Sequence, residues 1–139
     1  MTRSRDEQDA AAMFSDRYGR PASDATRELE RLVIGGDFGA NGYTTMAQAD
    51  LMTEVLGLRK GQRLLDIGSG RGWPGLYLAK ATGCTAVLTD IPEQGLRIAK
   101  DRATLEGIAL RTTAVVASAR RLPFEPESFD AIVHTDVLC

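Results

Sequence analysis

Three glycines alternate through one short stretch, Gly68, Gly70 and Gly72, with Ser69 and Arg71 between them. Asp66 stands two residues before the first, and Asp90 follows Gly70 by twenty residues. A turn built from glycine lets a ligand lie against bare backbone, because no Cβ holds it away. Where such a turn opens a helix, free amides and the positive end of the helix dipole favour an anionic group. An acid at the end of the following strand is placed to grip the two hydroxyls of a ribose. The spacing therefore predicts a site for a nucleotide-like ligand, with Gly68, Ser69, Gly70 and Gly72 at one end and Asp90 on the sugar. Asp66 narrows the choice: a carboxylate there faces a pyrophosphate badly and suits a ligand carrying an ammonium group. Trp73 falls where a dinucleotide fingerprint wants glycine or alanine, which counts against NAD. Each residue alone has a plainer reading. The glycines make a strand-to-helix turn, Asp90 would cap a helix starting near Pro92, and Asp66 would bond the turn's own amides.

The elements around these residues follow from the pattern. Arg63–Ile67 is almost continuously apolar, as in a strand buried on both faces. A helix over Leu76–Ala81 follows the glycines, with Pro74 near its first turn and Gly83 closing it. Thr85–Thr89 reads as a second strand ending at Asp90. Pro92 starts a helix to about Glu106, with Leu96, Ile98, Ala99, Ala103 and Leu105 inward and Gly107 as its cap. Leu110–Val116 and Phe129–His134 read as a third and a fourth strand, separated by a loop holding Pro123 and Pro126. Strands alternating with helices predict an α/β fold with a parallel sheet, and right-handed crossovers order the first three strands 3-2-1.

Upstream, Ser23 or Asp24 caps a helix that places Leu29, Leu32 and Val33 on one side and stops at Gly35-Gly36. Thr45 and Gln48 form a capping box for a helix with Leu51, Met52, Val55 and Leu56 in one stripe, ended by Gly57 with Leu58 folding back. The domain reading is a flexible N-terminal arm over 1–22, a helical cap segment over 23–60 and the α/β domain over 61–139.

Composition sets the outer limits. The chain has 139 residues, enough for one domain, with 43% hydrophobic and 26% charged residues. Seventeen basic residues against nineteen acidic give a net charge of −2, so no basic excess points to nucleic acid or to acidic lipid. Cys84 and Cys139 are too few and too far apart for a disulfide framework or a zinc site, and no metal is expected. No apolar run is long enough to cross a bilayer, and the charged start has no secretory h-region, so a cytoplasmic protein is expected.

Asp66-Ile-Gly-Ser-Gly-Arg-Gly72 resembles motif I of the class I S-adenosylmethionine-dependent methyltransferases, in particular their small-molecule group. Asp90 matches that family's ribose-binding acid. Val115 to Phe124 is similar to the segment over the adenine, Ser128 to Val133 to its fourth strand, and Gly42-Tyr43-Thr44-Thr45 to its lid segment. The resemblance covers about residues 38 to 138. It implies a Rossmann-like three-layer α/β/α fold, strand order 3-2-1-4, preceded by N-terminal helices, and S-adenosylmethionine as cofactor. It also implies roles. The glycine turn holds the methionine portion, and Asp66 orients its amino group through water. Asp90 takes the ribose diol, Ile91 packs on the adenine, Ser118 and the Ala119 amide face the adenine edge, and Tyr43 closes over the cofactor. Many members carry Asp at the Ser118 position.

The implied reaction is methyl transfer to a small-molecule acceptor, with S-adenosylhomocysteine as product. No catalytic residue is assigned; His134 and Tyr43 are the candidates, His134 being read more readily as a half-buried structural histidine. A binding module without turnover and, less favoured, a nicotinamide-dependent oxidoreductase are the other readings. The family's sheet continues beyond the fourth strand, so this chain is expected to be a truncated cofactor-binding half. Its fourth strand would be an open edge, through which a homodimer is expected.

Overall fold

A computed structural model describes residues 2–137. Met1, Leu138 and Cys139 lie outside the described residues, and with them the part of the cysteine reading that concerns Cys139. The elements are α1 (Arg5–Gly19), α2 (Asp24–Val33), α3 (Met46–Leu56), β1 (Arg63–Ile67), α4 (Gly75–Thr82), β2 (Thr85–Asp90), α5 (Glu93–Leu105), β3 (Thr112–Val116) and β4 (Ala131–Val133). The four strands form one parallel sheet in the order β3-β2-β1-β4, which is the predicted order.

The sheet's register builds the core. Leu64 pairs with Ala86 and Asp66 with Leu88. Leu64, Ala86 and Leu88 pack with Leu78 and Ala79 of α4 and with Leu96 and Ala99 of α5. Burying each leucine contributes roughly 1.5–3 kcal/mol. The next row, Leu65 and Val87, is also buried, so β1 and β2 are the two-faced strands that their apolar runs predict. A second cluster joins Trp73 to Ile34 and Ala49, with Phe38 stacked on the indole at 4.0 Å between centroids. The Trp73 Nε1–H donates to the Thr44 carbonyl at 2.9 Å. Trp73 is therefore core, and it fastens the segment before α3 to the glycine turn. Thr45 and Gln48 make the expected capping box, and Gly57 ends α3 in the left-handed conformation. Cys84 is fully buried.

Several expectations need correction. Residues 5–19 of the predicted flexible arm form α1, opened by a Ser4–Glu7 capping box, with Ala11 and Tyr18 buried. The apolar side of α2, on which Leu29, Leu32 and Val33 fall as the spacing predicts, is exposed. That helix is anchored instead by Glu30, whose Oε1 accepts from the Phe38 and Ala40 amides at 2.7 and 3.0 Å. In α3 the stripe splits, Met52 and Leu56 packing against the core while Leu51 and Val55 are exposed. Leu105 also points out to solvent, and a 3-10 turn over Ala109–Arg111 delays β3 to Thr112.

Candidate functional site

The glycine turn is held by β2. The Gly68 and Ser69 amides both donate to the Thr89 carbonyl, at 2.8 and 3.0 Å. Gly68 and Gly70 have φ of 69° and 53°, which a residue with a Cβ rarely adopts. Asp90 closes the arrangement. Its Oδ2 accepts from the Gly70 amide and its Oδ1 from the Ile91 amide, both at 2.8 Å. It does not cap α5, whose N-cap is Pro92 with no side-chain bond. Burial pushes its carboxyl up, and the two amides pull it down. Each oxygen keeps acceptor capacity beyond its one amide bond.

Asp66 lies beneath the turn and is 1% exposed. Its Oδ2 accepts from the Gly75 amide at 3.0 Å. Its Oδ1 and the Ser69 hydroxyl are buried without a hydrogen-bond partner among the described residues. Burial pushes the Asp66 carboxyl up to about 8; the Gly75 amide opposes that shift, and the nearby Asp90 carboxylate adds to it.

Helix α1 runs along these strand ends, and sequence reasoning missed it. Its C-terminal carbonyls are gathered by Arg71: Nη2 donates to the Tyr18, Arg17 and Arg20 carbonyls at 2.6, 3.3 and 3.2 Å. A helix C-terminus offers unpaired carbonyls and a partial negative charge, so a guanidinium is well suited to it. A Cβ on Gly70 would lie 3.4 Å from the Tyr18 hydroxyl oxygen. Burial, and secondarily the Asp90 charge, push the Tyr18 phenol up to about 12. At the other end of α1, the Glu7 carboxylate is hydrogen-bonded to the Ser118 hydroxyl. Nearby, the Arg3 guanidinium donates to the Ile91 carbonyl at 3.3 Å. The one legible sign of α1 was the Ser4-x-x-Glu7 capping box; nothing in the sequence announced the role of Arg71.

A cavity of about 320 Å³ opens against the turn, lined by Gly68, Ser69, Gly70, Tyr43, Tyr18 and Phe14 among others. Asp136 is also in its wall, and its Oδ2 accepts from the Thr44 amide and hydroxyl at 3.2 and 2.9 Å. That contact ties the stretch after β4 to the segment before α3. The predicted residues thus divide. Gly68, Ser69, Gly70 and Tyr43 meet on the cavity, although Tyr43 is 85% exposed at its rim rather than closed over it. Asp90, Ile91 and Ser118 are outside the wall, along α1, and Ala119 is exposed. Gly72 turns to α4, where a Cβ would meet Leu76. His134 is exposed and lines a different hollow with Leu51, Val55 and Ile132. The structure does not bring it to the glycine turn.

A parallel sheet with a glycine turn after β1 and a bonded carboxylate at the end of β2 defines a nucleoside-binding α/β domain. The sequence model of the methyltransferase domain matches residues 64–139, and the chain belongs to that family. It is 37% identical over 79 residues to the methyltransferase GfsG of Streptomyces halstedii, covering 57% of this chain and 28% of that protein. It is 37% identical over 108 residues to the ubiquinone/menaquinone biosynthesis C-methyltransferase UbiE of Pseudomonas entomophila (strain L48), covering 65% and 42%. Among solved structures it resembles a SAM-dependent methyltransferase from Geobacter sulfurreducens in complex with S-adenosyl-L-homocysteine. That match has a TM-score of 0.60 and 25% identity, over 67% of this chain and 37% of that one. The chain spans less than half the length of these relatives.

Proposed function

We propose that this chain is the cofactor-binding half of an S-adenosylmethionine-dependent methyltransferase acting on a small molecule. The observation that carries the reading is Asp90, bridging the Gly70 amide of the glycine turn and the Ile91 amide at the end of β2. When bound, the cofactor supplies a methyl group on a sulfonium. Asp90 takes the ribose diol through charge-assisted hydrogen bonds. Gly68, Ser69 and Gly70 receive the methionine portion, and the buried Asp66 and Ser69 atoms beneath them are the polar groups left for its amino end. Ile91 supports the base, with Ser118 and the Ala119 amide at its edge. Tyr43, at the cavity rim, is placed to cover the cofactor. The Geobacter sulfurreducens methyltransferase, solved in complex with S-adenosyl-L-homocysteine, supports this ligand.

The acceptor seat continues from the cofactor cavity. A hollow of about 520 Å³ shares Gly42, Tyr43 and Arg71 with it and is walled by the outward Leu29 and Val33 of α2. With Arg17, Arg20, Glu30 and Arg71 also in the wall, the hollow suits an acceptor with an apolar body and a polar end, and a relative is named for quinone biosynthesis. Such a transfer needs alignment and exclusion of water more than acid–base groups. The open edge of β4, with Ile132 54% exposed, supports self-association of this chain. No helix among the described residues is long and apolar enough to cross a membrane, and the proposed setting is the cytoplasm.

Thermal unfolding tests the reading. S-adenosylhomocysteine at a hundredfold excess over its Kd should stabilise the chain by about 2.7 kcal/mol, seen as a rise of several degrees in Tm, while NADH should leave Tm in place. A rise with NADH alone would replace a methyl-transfer reading by a hydride-transfer one.

A further inference from the structure

The direction of the bound nucleoside can be read from the strand ends. With its sugar on Asp90 and its charged end on the glycine turn, the ligand must send its base away from β1. The neighbour of β2 on that side is β3, and the Ala117 amide donates to the Asp90 carbonyl at 3.0 Å. The base therefore points at Ser118. There the first turn of α1 delivers a carboxylate, Glu7, onto the Ser118 hydroxyl. Hydrogen bonds from Ser118 and from the Ser4 amide hold the Glu7 carboxyl below the usual carboxylate range, so it is a pure acceptor. A pure acceptor favours the exocyclic amino group of adenine and repels the carbonyl of a 6-oxopurine.

We propose that Glu7 is the residue that reads the base, and that it does so as the moving end of a lid formed by α1. The inference rests on the cofactor reading above. Arg71 fixes the C-terminal end of the helix to the glycine turn, while Glu7 in its first turn and Arg3 just before it reach the far end of the site. Entry of the base breaks the Glu7–Ser118 bond and replaces it with one from the adenine amino group. Closure of α1 is thereby coupled to recognition of adenine.

The test is calorimetric titration of the whole chain with S-adenosylhomocysteine and with its 6-oxo analogue S-inosylhomocysteine. Glu7→Gln is the decisive variant, because glutamine at this position preserves the capping box and hence α1. The native chain should prefer the adenosyl ligand by more than tenfold. Glu7→Gln should narrow that preference to less than threefold, since an amide presents both a donor and an acceptor. Arg3→Ala, which removes the neighbouring contact to the Ile91 carbonyl without removing the reader, should keep the preference. A Glu7→Gln chain as selective as the native one would overturn the role of Glu7 alone, and so would equal loss of selectivity in Arg3→Ala. Failure of the native chain to bind either ligand would overturn the cofactor reading, and with it this one.

Discussion

Asp66 shows how one residue couples the fold to the site. Its carboxyl is buried, holds a single amide bond and titrates near 8. The folded state therefore keeps a proton that the unfolded chain, with an ordinary carboxylate, releases above about pH 4. Between about pH 4 and 8 the unfolded state binds fewer protons, so stability falls as pH rises through that window and levels off above it. The contribution is on the order of a few kcal/mol. Denaturant unfolding across pH should show this slope, and Asp66→Asn should flatten it. A slope unchanged in Asp66→Asn would place the titrating group elsewhere. Asp66 and Asp90, like the glycines, were legible because each is a residue type at a fixed offset from a turn. Tyr43 and His134 were not, since exposure at a rim and membership of one hollow rather than another are tertiary facts.

At the scale of elements, α1 and its clamp carry the argument. A guanidinium fork reaching three carbonyls is not reproduced by an ammonium. Arg71→Lys should therefore loosen α1 nearly as much as Arg71→Ala, at a cost of about 1–3 kcal/mol. Hydrogen exchange of residues 5–19 is the readout, with α4 and β2 unaffected. Gly95 makes a second test. A Cβ there would lie 2.7 Å from the Gly70 carbonyl oxygen and 2.8 Å from Tyr18 Cδ2. Backbone cannot yield as a side chain does, so Gly95→Ala should destabilise by about 1–3 kcal/mol and weaken ligand binding together with stability. The strands, α4 and α5 could be read from the sequence because period and glycine punctuation agree there. The helix α1 was misread as an arm because its few apolar residues give no stripe; its stability comes from a cap and from Arg71, fifty-odd residues away. The stripe of α2 was visible but its direction was not, because periodicity shows that a helix has an apolar face and not what covers it.

For the molecule as a whole, β3 and β4 are the two edge strands of the sheet, and the surroundings of β4 are apolar. Beside β4, Leu51, Val55 and Ile132 stand exposed around one hollow. Such an edge recruits another strand. Sedimentation should show concentration-dependent association of the chain, and Ile132→Lys should shift it to monomer; equal behaviour of the two would remove β4 from the interface. The central claim concerns the other end of the strands, where β1 and β2 deliver the glycine turn and Asp90 to one ligand. Calorimetric titration with S-adenosylhomocysteine, on the native chain and on Asp90→Ala, tests it most directly. Two charge-assisted hydrogen bonds to the ribose are worth about 3–6 kcal/mol together, so the variant should bind at least a hundredfold more weakly while circular dichroism shows it folded. Native-like affinity in Asp90→Ala, or no binding by a folded native chain, would contradict the account.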